Sequence, residues 1–361
     1  MSVYANHAGT SWPKPAPVVE AAAEALSADP VDWPRRFEAA HRDVARFFGV
    51  SDPSRLLLTP GCTSALQLAV SDLPWRAGDR VLLSGFEHAA LERPVAALRT
   101  RGVRPQVVRS GPPADGGALL DPSHLEAALR GGDVRAVAVS SAANTTGDVA
   151  DLPTIIDLAR AHDARVIVDA AQTAGWIDLD LEALGADVVA FGGHKGLQGT
   201  WGIGGLYAAP GVHTASPRLF GEGGPAGYCD GGSVDRVALQ ALAAAVAWLA
   251  EPARRGRLAR ARGLVARLEA GLRDLPARGL AARALQPSER RMPTLALAGS
   301  LEALTAARDR LDRAGIAYGA GLQCAPLAHR TLGTFPQGTL RFSFGPGSTD
   351  ADVDAVLEAL A

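Results

Sequence analysis

Apolar residues in this chain fall into short, often β-branched runs, separated by longer stretches whose apolar positions repeat with a helical period. Leu56-Leu57-Leu58-Thr59, Val81–Ser84, Val103–Arg109, Val134–Ser140, Val166–Val168 and Asp187–Phe191 are too short for helices and are bounded by turn residues, so they predict strands. Helical spacing predicts helices over 17–26, 35–48 and Leu152–His162, with Gly49 ending the second. Asp121-Pro122-Ser123-His124 supplies an N-cap with proline at the first helical position, so a short helix starts there. This β-then-α alternation from Leu56 to Val168 predicts an α/β fold with a mainly parallel sheet. Farther along, Ser233 is placed to cap an alanine-rich helix over Val234–Leu249, and Arg254–Leu275 reads as an amphipathic helix with an arginine-studded, solvated face. The strand Pro293–Ala298 and helix Leu301–Ala314 predict a smaller α+β C-terminal unit. The change of pattern near Glu251-Pro252 divides the chain into a large domain over 15–250 and a small one over 251–361, with residues 1–14 packing near the site between them.

Composition narrows the function classes. With 361 residues, 47% of them hydrophobic, the chain can bury two cores. A formal net charge of −2 offers no basic footprint for nucleic acid. Cys62, Cys229 and Cys324 form neither a disulfide framework nor a zinc-ligand spacing, so no metal is expected and a reducing cytoplasm fits best. The N-terminus lacks the apolar centre of a signal peptide, and Val237–Ala250, broken by Gln240, is short of the roughly 20 residues of a membrane span. A small-molecule enzyme remains.

The stretch from Arg165 to Tyr207 supplies the chemistry. Val166–Val168 delivers Asp169 at its carboxyl end, and Asp187–Phe191 delivers Gly192-Gly193-His194-Lys195, which puts the lysine 195 − 169 = 26 residues after the acid. In open α/β sheets the loops leaving strand ends form the ligand crevice, so both side chains reach one crevice. Pyridoxal phosphate (PLP) needs that pair: a lysine amine for the Schiff base and an acid for the ring nitrogen. Gln172 suits a hydrogen bond to the phenolic oxygen, and His194 with its glycine amides suits a phosphate. Lys195 must lose its proton to attack a carbonyl, and desolvation favours that loss. Singly, Asp169 and Lys195 would fit an ordinary strand end and a surface lysine. Asp-Ala-Ala-Gln-Thr-Ala-Gly followed by Gly-His-Lys-Gly carries the assignment. Upstream, Pro60-Gly61-Cys62-Thr63-Ser64-Ala65 is a turn opening a helix, which offers free amides to an anion.

These motifs closely resemble the cysteine desulfurase-like branch of the class V aminotransferases, PLP enzymes of fold type I, and the resemblance runs from Tyr4 to the C-terminus. It implies that the opening Tyr4-Ala5-Asn6-His7-Ala8-Gly9-Thr10-Ser11-Trp12-Pro13-Lys14-Pro15, similar to the family's YLDNAATSWPKP, lines the substrate pocket. His7 then either touches substrate or caps and packs. The resemblance places Cys62 and Thr63 at the cofactor phosphate, with the Cys62 thiol simply packed. It places His88 of Phe86-Glu87-His88 against the PLP ring, where it can also shuttle protons, although a helix-capping histidine fits the same spacing. Asn144 matches a residue that reaches the PLP oxygen or substrate carboxylate. Cys324 falls on the persulfide-forming nucleophile of a mobile loop, and Arg341 on the clamp for the substrate α-carboxylate, which suits a guanidinium's paired N–H fork.

Several positions depart from the family's pattern. The Gly-Arg-x-x-His loop is absent from 27–50, Pro225 follows Glu222-Gly223-Gly224 where a threonine usually reaches the partner subunit's phosphate, and Gly319 and Gln323 replace an arginine and a histidine of the Cys324 motif. His329 would compensate if its loop folded back. The expectation is a homodimer converting L-cysteine to alanine through a persulfide on Cys324, with a sulfur-acceptor protein as a further partner. A lyase or aminotransferase acting on another amino acid is the alternative. A non-catalytic homologue is the third reading, and retention of Asp169, Gln172, His194, Lys195 and Arg341 speaks against it.

Overall fold

The computed structural model describes residues 3–110, 118–212, 234–275 and 279–361. Strands β1 (Leu56–Thr59), β2 (Arg80–Leu83), β3 (Arg104–Val107), β4 (Val134–Ser140), β5 (Arg165–Asp169), β6 (Val188–Gly192) and β7 (Gly204–Ala208) form one sheet in the order β1-β7-β6-β5-β4-β2-β3. Neighbouring strands are parallel except that β7 runs antiparallel to both β1 and β6. The alternation of side chains along each strand sorts the apolar residues onto two faces. Val137, Val139, Val166, Val168, Val189 and Phe191 face one core, packed with Val44, Leu125 and Ile155 from helices Trp33–Phe47, Pro122–Arg130 and Leu152–Ala161. Ala136, Ala138, Ile167, Val188 and Ala190 face the other, under Leu66, Val70, Leu91 and Val95 from helices Cys62–Asp72 and Ala89–Ala97. Covering on both faces is why β5 and β6 read as continuous apolar runs rather than alternating ones. Each fully buried Val, Leu, Ile or Phe among them contributes about 1.5–3 kcal/mol, so the central strands are firmly held.

The second sheet is antiparallel, in the order β10-β11-β9-β8, from β8 (Leu280–Arg283), β9 (Thr294–Gly299), β10 (Gly319–Gly321) and β11 (Thr339–Ser343). Leu295, Leu297, Leu340 and Phe342 pack there against Val265 and Leu268, Ala307 and Leu311, and Val353 and Val356 from helices Arg257–Asp274, Leu301–Arg313 and Asp350–Leu360. The N-terminal segment joins this unit through bridges from Tyr4 to Ala317 and from Asn6 to Ser343. The buried Asp148 carboxylate ties the two sheets' units together by accepting from the Leu285 and Gln286 amides.

Sequence pattern and structure differ at identifiable places. Asp235, not Ser233, caps the helix Arg236–Ala250, accepting from the Ala238 amide; Ser233 lies outside the described residues. So do Cys229 and the Glu222-Gly223-Gly224-Pro225 turn. No helix among the described residues is long and apolar enough to cross a membrane.

Candidate active site

At the carboxyl ends of β4, β5 and β6 lies a cavity of about 620 Å³. From the seven-stranded sheet and its loops come Cys62, Thr63, His88, Asn144, Asp169 and Gln172, with His194 and Lys195 just past β6. Gly319, Gln323, Cys324 and Arg341 face them from the four-stranded sheet. Ten of the eleven residues expected at the site therefore line one cavity, and His7 is the exception. Its buried ring packs edge-on to Tyr4 and against Gly345, where any Cβ would collide with the imidazole. Burial and the Lys14 charge push its pKa down to about 4, so His7 is a neutral packing residue behind the wall. The neighbouring Asn6 reaches the cavity instead.

The wall built from the large sheet is internally bonded. Asp169 Oδ1 accepts from the Ala171 amide at 2.8 Å and from the Cys62 thiol at 3.4 Å. Burial, reinforced by Asp169, raises the Cys62 pKa well above that of an ordinary thiol, so Cys62 is a protonated donor to this carboxylate and not merely packed. Burial lowers the Lys195 pKa, opposed by the nearby Asp169, Cys62 and Cys324. Gln172 Nε2 donates to the Ala8 carbonyl at 3.1 Å, which fixes its amide against the N-terminal segment. His88 takes the capping role that its spacing allowed. It caps the helix Ala89–Ala97, its Nδ1 accepting from the Ala90 amide at 3.0 Å, while its ring lines the cavity. That bond assigns the imidazole proton to Nε2, and burial followed by the Lys195 charge lowers its pKa. Beneath it, the fully buried Glu87 accepts from Ser84 Oγ and from the Ser140 amide and hydroxyl, and burial raises its pKa to about 7.

The helix Cys62–Asp72 points its first turn at the cavity. Its N-cap, Gly61, has φ of 152°, and a Cβ on Gly204 of β7 would lie 2.9 Å from the Gly61 Cα. Glycine at both positions lets the turn sit close on β7, with first-turn amides that have no intrahelical acceptor. His194 Nδ1 pairs with Thr10 Oγ1 at 3.0 Å, and burial with the Lys195 and Lys14 charges pushes its pKa down to about 4.

The opposite wall holds a buried cation with no acid beside it. Arg341 Nη1 donates to the Asn144 carbonyl and Nη2 to Asn6 Oδ1, both at 2.9 Å, while Nε has no partner. No carboxylate among the described residues forms an ion pair with Arg341, and burial lowers its pKa to about 10. Asn144 Oδ1 is also buried without a partner. Gln323 (φ 42°) and Cys324 (φ 56°) are consecutive left-handed residues, a sparsely populated geometry for side-chain-bearing positions. The loop is tied down rather than loose. The Ala89 amide donates to the Cys324 carbonyl at 2.7 Å, Asn144 Nδ2 to the Gln323 carbonyl at 2.8 Å, and Gln323 Nε2 to the Thr339 carbonyl at 2.8 Å. The Cys324 side is exposed to the cavity. His329, in the helix Pro326–Leu332, is buried against Thr334 with a lowered pKa, so it adds no positive charge beside Cys324. The cations that interact with Cys324 are Lys195 and Arg341. Trp201, which the sequence reading passed over, lines the mouth at 62% exposure; a lone exposed tryptophan six residues after Lys195 was the available signal.

A lysine and an aspartate at adjacent strand ends of an open α/β sheet, closed over by a small antiparallel unit, define the fold-type-I class of PLP enzymes. The family "Aminotransferase class-V" matches residues 4–356, and the chain belongs to that family. Over its whole length the chain resembles the cysteine desulfurase CsdA from Escherichia coli, at 26% identity and a TM-score of 0.86, covering 99% of this chain and 93% of that one. It also shares the fold of a cysteine desulfurase from Thermococcus onnurineus NA1, at 24% identity and a TM-score of 0.85, covering 99% and 93%. A probable cysteine desulfurase of Methanothermobacter thermautotrophicus is 35% identical over 190 residues, 52% of this chain and 46% of the relative. One from Mycolicibacterium paratuberculosis is 28% identical across 95% of this chain and 50% of its own length. The chain thus spans about half the length of these curated relatives.

Proposed function

We propose that the chain is a PLP-dependent cysteine desulfurase, converting L-cysteine to alanine with transfer of the sulfur to Cys324. The observation that carries the proposal is the facing of the two walls: Lys195 and Asp169 on one, Arg341 and Cys324 on the other, across a single cavity. The residues fit PLP. The first turn after Gly61, with Thr63 and His194, suits a phosphate, Asp169 suits the ring nitrogen, the His88 ring suits stacking, and the unpartnered Asn144 Oδ1 leaves an acceptor in the cavity. PLP, when bound, supplies an electron sink for the charge that develops on the substrate carbons.

The chain's own groups do the rest. Arg341, with a free Nε and no acid paired to it among the described residues, binds the α-carboxylate. Lys195, already biased toward its neutral amine by burial, removes the Cα proton. The Cys324 thiolate attacks the substrate sulfur: the new S–S bond forms as the substrate Cβ–S bond breaks, and that electron pair leaves with the carbon. The proton held by Lys195 and the one given up by the Cys324 thiol then go to Cβ and Cα, which completes alanine. Cysteine plus the Cys324 thiol gives alanine plus the Cys324 persulfide, with no outside oxidant. His88 holds its proton on Nε2 while Nδ1 caps a helix, so it donates to bound groups more readily than it accepts a proton.

In this reading residues 15–250 carry the cofactor and 251–361 close over it, the working unit is a homodimer, and a sulfur-acceptor protein relieves the persulfide in the cytoplasm. The names of the relatives support cysteine as substrate. The lack of a cation on the Cys324 loop itself, where Gln323 is uncharged and His329 is buried and neutral, favours a second reading in which a lyase or aminotransferase works without that thiol. The test is to incubate the purified protein with L-cysteine, quantify alanine, and determine the mass of the Cys324 peptide. Alanine with a persulfidated peptide is expected. Pyruvate, or no turnover of cysteine, would assign the site to the second reading.

A further inference from the structure

The carbonyl of His194, the acyl oxygen of the peptide bond to Lys195, is crowded by donors from the N-terminal segment. It receives the Ser11 amide at 2.9 Å, Ser11 Oγ at 3.0 Å, Thr10 Oγ1 at 3.1 Å and Lys14 Nζ at 3.1 Å. A carbonyl oxygen has two lone pairs, so this concentration of donors is unusual and leaves the peptide little freedom. Lys14 Nζ also donates to Ser11 Oγ at 2.7 Å and lies 5.5 Å from the centre of the Trp201 ring. No carboxylate among the described residues pairs with Lys14, and burial lowers its pKa to about 8. Keeping an ammonium in such a place costs free energy unless its donors are used. Here they are spent on a carbonyl, a hydroxyl and an aromatic face.

On its other side, Lys195 is held through its own carbonyl. Gln198, in the left-handed region at φ 65°, gives its amide at 2.9 Å and its Nε2 at 3.2 Å to that oxygen. The lysine backbone is pinned on both flanks, while no protein hydrogen bond or ion pair among the described residues holds its Nζ. Immobile backbone and free amine are what a lysine needs if it must meet one electrophile and then move protons over a short path. The same N-terminal strap gives Asn6 Oδ1 to Arg341 and the Ala8 carbonyl to Gln172, so it spans from the carboxylate clamp to the lysine. Pro13 and Pro15 flank Lys14 and narrow the conformations open to the strap.

We propose that Lys14 is a positioning residue for Lys195, its ammonium locking the His194–Lys195 peptide so that the Lys195 amine is presented to the cofactor. The proposal rests on the reading that Lys195 holds PLP covalently. Its test uses the full chain, stripped of PLP, as wild type, Lys14→Met and Lys14→Arg. Two quantities are measured for each. One is the affinity for pyridoxamine phosphate, which lacks the aldehyde and cannot bond to Lys195. The other is the rate at which added PLP becomes borohydride-reducibly linked to Lys195, the amine condensing with the aldehyde as one water leaves.

Lys14→Met should slow the linkage about tenfold or more, as small displacements of reacting groups do, while pyridoxamine phosphate affinity stays within about twofold. Lys14→Arg should recover most of the rate. Equal linkage rates for wild type and Lys14→Met would overturn the proposal, as would a parallel fall in pyridoxamine phosphate affinity, which would make Lys14 a general support of the pocket. If Lys14→Met does not fold, Ser11→Ala, which removes the hydroxyl between the ammonium and the carbonyl, should show the same split with a smaller slowing, and no split would count against the proposal. Wild-type protein that never links PLP overturns this inference together with the function it rests on. Wild-type protein that links PLP beside an equally fast Lys14→Met overturns this inference alone.

Discussion

The two walls of the cavity are built on different principles. On the large-sheet side the carboxylates and His88 have protein partners, while the Lys195 amine and Asn144 Oδ1 stay free: Asp169 takes the Ala171 amide and the Cys62 thiol, Glu87 takes two serines, and His88 caps a helix. On the small-sheet side Arg341 Nε stands without an acceptor and Cys324 sits at the crest of a left-handed loop. A wall whose carboxylates are already bonded suits a permanent resident such as a cofactor. A wall that keeps a buried cation unpaired suits an anion that comes and goes.

The sharpest way to break this contrast is to remove the amine from the satisfied wall. Lys195→Ala should abolish the visible, borohydride-reducible bond to PLP altogether while leaving non-covalent PLP binding detectable by dialysis. A reducible adduct in the variant would place the bond on another lysine.

A smaller effect is expected on the opposite wall. Arg341→Ala should raise KM for an amino-acid substrate about tenfold to a hundredfold, the range for losing a charge-assisted hydrogen bond of roughly 1.5–3 kcal/mol. The corresponding amino-acid amide, which lacks the carboxylate, should be affected far less. Equal losses for both would show that Arg341 serves the fold through Asn6 and Asn144 rather than substrate.

The satisfied wall also carries a pH signature. The Glu87 pKa is about 7 in the folded protein against 4.5 for a free carboxyl, so over that window the unfolded chain binds fewer protons than the folded one. Stability from this group is therefore full below about pH 4.5 and is lost as pH rises through 7, a change on the order of 3–4 kcal/mol at about 1.4 per unit. Denaturant melts from pH 4.5 to 7.5 should show this decline in wild type and a flatter profile in Glu87→Gln. Parallel profiles would place the ionised form of Glu87 in the fold.

The two cysteines should differ least dramatically but most simply. Iodoacetamide at neutral pH should label the exposed Cys324 and spare Cys62, whose pKa is well raised and whose thiol is turned to Asp169. Peptide mapping checks this, and equal labelling would remove the Cys62–Asp169 contact from the account.

Much of the satisfied wall was legible in the sequence, and the reason is physical. Strands buried on both faces read as β-branched runs, and the positions after them, Asp169 and Lys195, inherit a common sheet edge. The antiparallel β7 was harder to see because Gly204-Gly205 replaces apolar bulk with close backbone approach. The small-sheet wall was legible by motif alone. β10 is Gly319-Ala320-Gly321, with no apolar signal, and the left-handed turn at Gln323 and Cys324 uses residues that do not announce it. Sequence left substrate contact and packing both open for His7 because the space for its ring is made by Gly345, more than 300 positions away. The bond from Cys62 to Asp169 likewise joins residues 107 apart, and only the closed fold reveals it.

The central claim is that the unpaired wall supplies the sulfur nucleophile. Cys324→Ala, loaded with PLP and given L-cysteine, measures it directly by the rate of alanine formation. The account predicts that alanine formation is abolished while PLP remains bonded to Lys195 and cysteine still perturbs its absorbance. Alanine produced as fast as by wild type would contradict it, and would leave Cys324 a bystander at the rim of a PLP site with another reaction.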